Sequence, residues 1–172
     1  MLTMLLISGC IEDTFPCDIV VDPYVPLIFK AYDGVLAGAK YYRIGNFDTS
    51  LLEIGLEPDT LLIRRIGLVS IGRVDCSVGV RMSSVTSEQI GLPIVDSASL
   101  SSDRTDEQID FAVSLIDRSL IVDWSQNAEI ESVIRHQRVE FCLVGHVLCR
   151  LVFRDLCESE CKLLSEHINA AT

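Results

Sequence analysis

Lysine is scarce in this chain: Lys30, Lys40 and Lys162 are the only three in 172 residues, and 14 basic side chains face 25 acidic ones, for a formal net charge of −11. Gripping a phosphate backbone requires clustered cations that displace counterions, so this balance opposes nucleic acid and anionic membranes as partners and favours a cationic one. Acidity also keeps proteins soluble, so charge alone does not name the partner. Long apolar runs are missing too, with none near the roughly 20 residues that span a bilayer as a helix. The opening Ile7-Ser8-Gly9-Cys10 has the look of a lipoprotein signal end. However, it follows no basic segment, and its apolar run is shorter than the usual stretch of about 7 to 15 residues. An ordered arm or edge strand in a cytoplasmic protein is the expectation, with lipidation at Cys10 as the alternative.

Chemical motifs are equally sparse. The seven cysteines, at 10, 17, 76, 142, 149, 157 and 161, are odd in number and include no CxxC pair or Cys/His spacing suited to zinc. They read as reduced, mostly buried thiols. Of three histidines, His146 lies near Cys142, but an activated thiolate needs an exposed, electropositive niche, and a buried strand cysteine does not supply one. No nucleophile elbow occurs, and Gly34-Val35-Leu36-Ala37-Gly38 lacks the Lys-Ser/Thr of a phosphate loop. No catalytic residue, metal or cofactor is therefore assigned, and the expectation is a protein that is not an enzyme.

What is abundant is apolar content, 49% of residues against 23% charged. That is enough to offset chain entropy and excludes disorder. A chain of this length buries roughly 70% of its unfolded surface and folds as one domain, here residues 1–172. Alternation at Leu52, Ile54 and Leu56, then at Ile66 and Leu68 across Glu57-Pro58-Asp59-Thr60, is the pattern of a hairpin with one buried face. A strand is expected over 75–85, then a loop-rich joint over 83–107 with a single turn at 87–90. A second hairpin is expected over 109–124 with its turn at 117–119, and a third over 138–153 turning at Val144-Gly145-His146. Asp155 and Glu158 are placed to cap a closing helix whose stripe is Leu156, Leu163, Leu164 and Ile168. The fold class is α+β: mainly antiparallel hairpins with a C-terminal helix on the sheet. Leu52–Leu56 resembles 139–143, and Arg65–Leu68 resembles 150–153, which suggests two similar β lobes split near 83–107, although any two amphipathic hairpins look alike.

Asp106, Glu107, Asp110, Glu129 and Glu131 form the candidate acidic patch, with Trp124 as a candidate aromatic anchor. Several short stretches carry a resemblance: Leu52-Glu53-Ile54-Gly55-Leu56 with its Pro-Asp-Thr turn and Ile66-Gly67-Leu68-Val69; Leu120-Ile121-Val122-Asp123-Trp124-Ser125; Arg138-Val139-Glu140-Phe141; and Leu156-Cys157-Glu158-Ser159-Glu160. The likeness they carry extends over about two thirds of the chain, from Leu52 to Glu160. In this layout the chain resembles the immunity proteins of bacterial polymorphic-toxin and contact-dependent growth inhibition systems. It departs from them at Ser159-Glu160, where a second acid is usual, and in its N-terminal arm. The resemblance implies a cytoplasmic antidote that occludes one cognate protein toxin without chemistry or cofactor. The net charge adds that the toxin is basic and nuclease-like. Two alternatives stand beside it: a small enzyme or ligand-binding domain, which requires a deep pocket, and a structural β-protein that self-associates into a homo-oligomer through hairpin edges.

Overall fold

A computed structural model describes residues 4–12, 14–75 and 85–172. Along these residues run β1 (Ile7–Ile11), β2 (Asp18–Val20), β3 (Leu27–Lys30), β4 (Lys40–Ile44), β5 (Leu51–Leu56), β6 (Ile63–Ser70), β7 (Ser87–Ile90), β8 (Leu92–Val95), β9 (Arg104–Glu107), β10 (Ala112–Ile116), β11 (Ser119–Asp123), β12 (Ser132–His136), β13 (Val139–Val144), β14 (Val147–Phe153) and α1 (Glu158–Ala171). The protein is thus mostly β, closed by one C-terminal helix.

The strands form where alternation places one apolar face inward. Tyr42 and Ile44 of β4, Leu52, Ile54 and Leu56 of β5, and Ile66 and Leu68 of β6 are all essentially solvent-free. Each such side chain contributes on the order of 1.5–3 kcal/mol when withdrawn from water. The turns have the chemistry that hairpins demand. Asp117 and Arg118 both sit at positive φ, 49° and 62°, which matches the right-handed twist of β10 and β11, and Gly145 at φ 58° closes β13 onto β14. At Gly45, φ is 149° and a Cβ would stand 2.1 Å from the Ser50 carbonyl oxygen, so no other residue fits.

Two six-stranded sheets result, in the orders β2-β3-β6-β5-β4-β9 and β10-β11-β14-β13-β12-β7, with β1 and β8 as a separate antiparallel pair. Each large sheet is an antiparallel hairpin followed by a three-stranded meander whose last strand returns to the hairpin. An edge strand then adds in parallel, β9 on β4 and β7 on β12. The Phe29 ring stands edge-on to Phe141 and to His136, with centroids 6.5 and 6.4 Å apart, so the inner faces of the two sheets meet there. One continuous core joins side chains of both sheets, and Leu5 and Ile7 of the N-terminal arm belong to it. α1 buries Leu164 and contacts β10, while its His167 Nε2 lies 2.6 Å from the Asp22 carbonyl oxygen.

Several expectations change. The expected joint carries β7, β8, β9 and a 3-10 turn at Ser97–Ser99: β8 is apolar and mostly buried against β1, while β7 and β9 add as edge strands to the two large sheets. Ser87–Ile90 is a strand, not a turn. β12 was hidden by its short apolar content, and the two parallel pairings are long-range events that local alternation does not encode. The cap of α1 is Cys157, whose N–H donates to the Glu160 carboxylate at 2.8 Å. Asp155 takes a left-handed turn at φ 52° just before the helix. Residues 76–84 of the expected 75–85 strand lie outside the described residues. Among the described residues, no helix is long and apolar enough to cross a membrane.

Candidate binding face around Trp124

β11 ends in Asp123, and the chain then leaves the sheet through Trp124 and Ser125 into a turn at Gln126 and Asn127, both at positive φ of 53° and 69°. Asp123 fixes this exit twice over: its carboxylate accepts the Ser125 N–H at 2.7 Å and pairs with Arg150 at 2.8 Å. Trp124 is 8% exposed, and its Nε1–H donates to the Leu148 carbonyl at 3.0 Å. A buried indole needs that partner to offset its desolvation. The ring is therefore held in place, and Trp124 and Gln126 line two cavities.

The first cavity, about 380 Å³, is polar and is lined by Arg73, Asp75, Asp110, Asp123, Gln126 and Asn127 beside Trp124. Its far side is held by the 73–75 segment, where the Val113 N–H donates to the Arg73 carbonyl and the Asp75 N–H to the Val113 carbonyl, at 2.9 and 3.1 Å. Counting Arg150 through its pair with Asp123, three carboxylates meet two guanidiniums among the described residues at this cavity. The second cavity, about 280 Å³, is mainly apolar. Met4 and Leu5 of the arm, Tyr42 of β4, Val147, Leu148 and Cys149 of β14, and Ser125 line it. The arm is secured by hydrogen bonds from the Leu148 N–H to the Leu5 carbonyl and from the Ile7 N–H to the His146 carbonyl, at 2.9 and 2.8 Å.

The structure distributes the residues named from sequence. Asp110 and Trp124 meet at the polar cavity. Glu129 is exposed on the connection that leaves it, and the exposed Glu131 carboxylate accepts the Gly145 N–H at 2.8 Å, tying this connection to the β13–β14 turn. Glu107 is turned inward and is only 8% exposed; beside it the Tyr42 hydroxyl is pushed up, first by burial and then by the Glu107 charge. Asp106 alternates outward on β9 and binds Arg43 through two N–H donors at 2.7 Å each, which hold its carboxyl below the ordinary range. Four of the six side chains thus belong to the Trp124 face or its rim, Glu107 points toward the core, and Asp106 lies on the outer face of its sheet.

Sequence reasoning missed Asp75, Asp123, Ser125 and Tyr42. Asp123 and Ser125 flank Trp124 and were within reach of a local reading, whereas Asp75 and Tyr42 arrive through pairings far apart along the chain. Elsewhere, the thiols of Cys142 and Cys149 are both pushed up to about 12 by burial, aided by Glu140 and Asp123 respectively, so both remain neutral near pH 7. Among the described residues, no group of three or more His, Cys, Asp or Glu is arranged to hold a metal ion. Two packed β-sheets with a buried tryptophan that borders two cavities are the class of molecule these observations define. No family model and no curated protein matches the chain.

Proposed function

We propose that the chain is a binding protein of the immunity type, a cytoplasmic antidote that neutralises a cognate bacterial toxin by a tight, non-catalytic complex through the Trp124 face. The observation that carries the reading is the polar cavity at Trp124, whose lining brings Asp75, Asp110 and Asp123 together with Arg73. A Lys or Arg side chain from a partner would enter there, over the edge of a rigid indole, with Glu129 and Glu131 on the rim steering its approach. A basic, nuclease-like toxin domain fits this charge.

The same proposal includes a doubled architecture. In support, Arg43 lies opposite Glu53 and Arg135 opposite Glu140 at the corresponding register of the two sheets. The register shift at Gly55/Leu56 recurs at Cys142/Leu143, and the N–H of Val95 donates to the Leu61 carbonyl as that of Ile7 donates to His146. Each half is then closed by the strand that precedes the other half.

Co-expression with the toxin domain encoded beside it tests the function. Growth should be rescued by the wild-type chain and lost with Asp110→Lys, provided circular dichroism shows that the variant folds. Failure of the wild-type chain to rescue growth or to form a complex would move the reading to a ligand-binding domain.

A further inference from the structure

The outer faces of the two large sheets carry matching cross-strand rows. On one sheet the row runs Ser114, Ile121, Val152, Glu140, Arg135, and on the other it runs Val20, Ile28, Gly67, Glu53, Arg43. Their surroundings differ. Ser114, Ile121, Val152 and Glu140 are buried although they point away from the shared core, and α1 packs on that side, its Ser165 and Ile168 lining a cavity with Ser114 and Ile116. In the other row Val20 is 39% exposed and Ile28 is half-buried. Two residues along the strands this open face adds charge: Lys30 of β3 stands directly opposite Arg65 of β6, and like charges so placed destabilise a sheet. Asp18 flanks Lys30 on β2, yet among the described residues neither Lys30 nor Arg65 forms an ion pair or a side-chain hydrogen bond. By contrast, Arg43, Arg135 and Arg150 each bind a carboxylate. The Arg65 side chain bends over Gly67, where a Cβ would stand 3.0 Å from its Nη1, and so lays its guanidinium across the middle of the face.

We propose that this open face, over β2, β3 and β6, docks an acidic amphipathic helix of a protein partner, in the position that α1 takes on the other sheet. Two observations select that occupant. The matching row shows which kind of element covers such a face in this fold, and α1 is itself acidic, with Glu158, Glu160 and Glu166 against Lys162. The second is charge: carboxylates flanking the partner's apolar stripe would meet Lys30 and Arg65 and relieve their repulsion, while the stripe itself covers Val20 and Ile28. Those two side chains also favour a protein over a nucleic acid, whose backbone presents phosphates and no apolar group to cover them. The inference rests on the correspondence between the two sheets and not on the toxin-binding reading, which uses the Trp124 face.

The probe is a labelled helical peptide of about 18 residues, long enough to hold a helix, with leucine along one face and glutamate beside it; the same peptide with lysine for glutamate is the control. Titrated against the full chain, the acidic peptide should bind saturably with a Kd of ~10–100 μM, as for a small interface, and should shift the backbone amide resonances of β2, β3 and β6. The lysine peptide should leave those resonances unmoved. Lys30→Gln/Arg65→Gln should weaken the acidic peptide about tenfold and Val20→Asp about fivefold, whereas Lys162→Gln, at an exposed position of α1, should bind as the wild type does. Growth rescue from the toxin by Lys30→Gln/Arg65→Gln should equal that of the wild type, which separates failure here from failure of the antidote reading. Absence of saturable binding, shifts that map to another face, or a Lys30→Gln/Arg65→Gln variant that binds as the wild type does would overturn the proposal. If a short oligothymidylate shifts the same amides and the acidic peptide does not, the face takes a phosphate backbone, and the helix reading is wrong.

Discussion

Replacing Glu140 by Gln should destabilise the protein by about 2–3 kcal/mol. Its carboxylate side chain is only 1% exposed and accepts four N–H donors: Arg135 Nε and Nη2 at 3.2 and 2.8 Å, and Arg154 Nε and Nη2 at 2.5 and 2.9 Å. Breaking a fully buried ion pair by removing one partner costs about 3–5 kcal/mol, because the orphaned charge stays desolvated. Here the arginines are 42% and 34% exposed, so water takes up part of their freed capacity and the cost falls below that range. Gln also keeps one acceptor oxygen. With a urea slope of roughly 2–3 kcal/mol/M for a chain of this size, the unfolding midpoint should drop by about 1 M. Glu53→Gln, at the corresponding register of the other sheet but half-buried, is the control and should cost under ~0.5 kcal/mol. Equal, small losses for both variants would refute the view that Glu140 holds the two arginines over the sheet.

Gly45→Ala should cost about 3 kcal/mol or prevent folding, because its Cβ would collide with the Ser50 carbonyl at a positive φ; thermal denaturation reads the loss, and a shift within error would contradict it. Alkylation at pH 8 followed by mass spectrometry should label exposed Cys157 readily in the folded chain, since hydrogen bonds from Ser159 and from backbone N–H groups lower its pKa, and should label Cys142 and Cys149 only after unfolding. Carbon-13 titration should place the Asp106 carboxyl below its ordinary value, and Arg43→Met should return it there. Because that folded pKa is depressed, the pair's contribution to stability is present above the ordinary carboxylate value near ~3.9 and is lost as pH falls through the folded one.

Legibility followed sequence separation. Hairpins β5–β6, β10–β11 and β13–β14 were readable because alternation and turn residues are local. β7 and β9 were not, because they take their conformation from the parallel neighbours they join, and β12 was not, because its apolar run is only Val133-Ile134. At the candidate site, Asp110 and Trp124 were visible as an acid and the lone tryptophan, while Asp75 and Tyr42 reach the same place only through tertiary pairing. Burial of Trp124 was also unreadable: it depends on the Leu148 carbonyl across the sheet. Grouping Asp106 and Glu107 with Asp110, Glu129 and Glu131 ignored the pleat of β9, which sends Asp106 and Glu107 to opposite faces.

The most direct test of the central claim is the affinity of the chain for a toxin domain of the kind proposed as its partner at 50 and 300 mM salt, measured for the wild type and for Asp110→Asn/Glu129→Gln/Glu131→Gln. If an acidic face at Trp124 captures a basic partner, the wild-type complex weakens as salt rises, and the triple variant binds about tenfold more weakly at low salt with a flatter salt dependence. An affinity indifferent both to salt and to these three substitutions would contradict it.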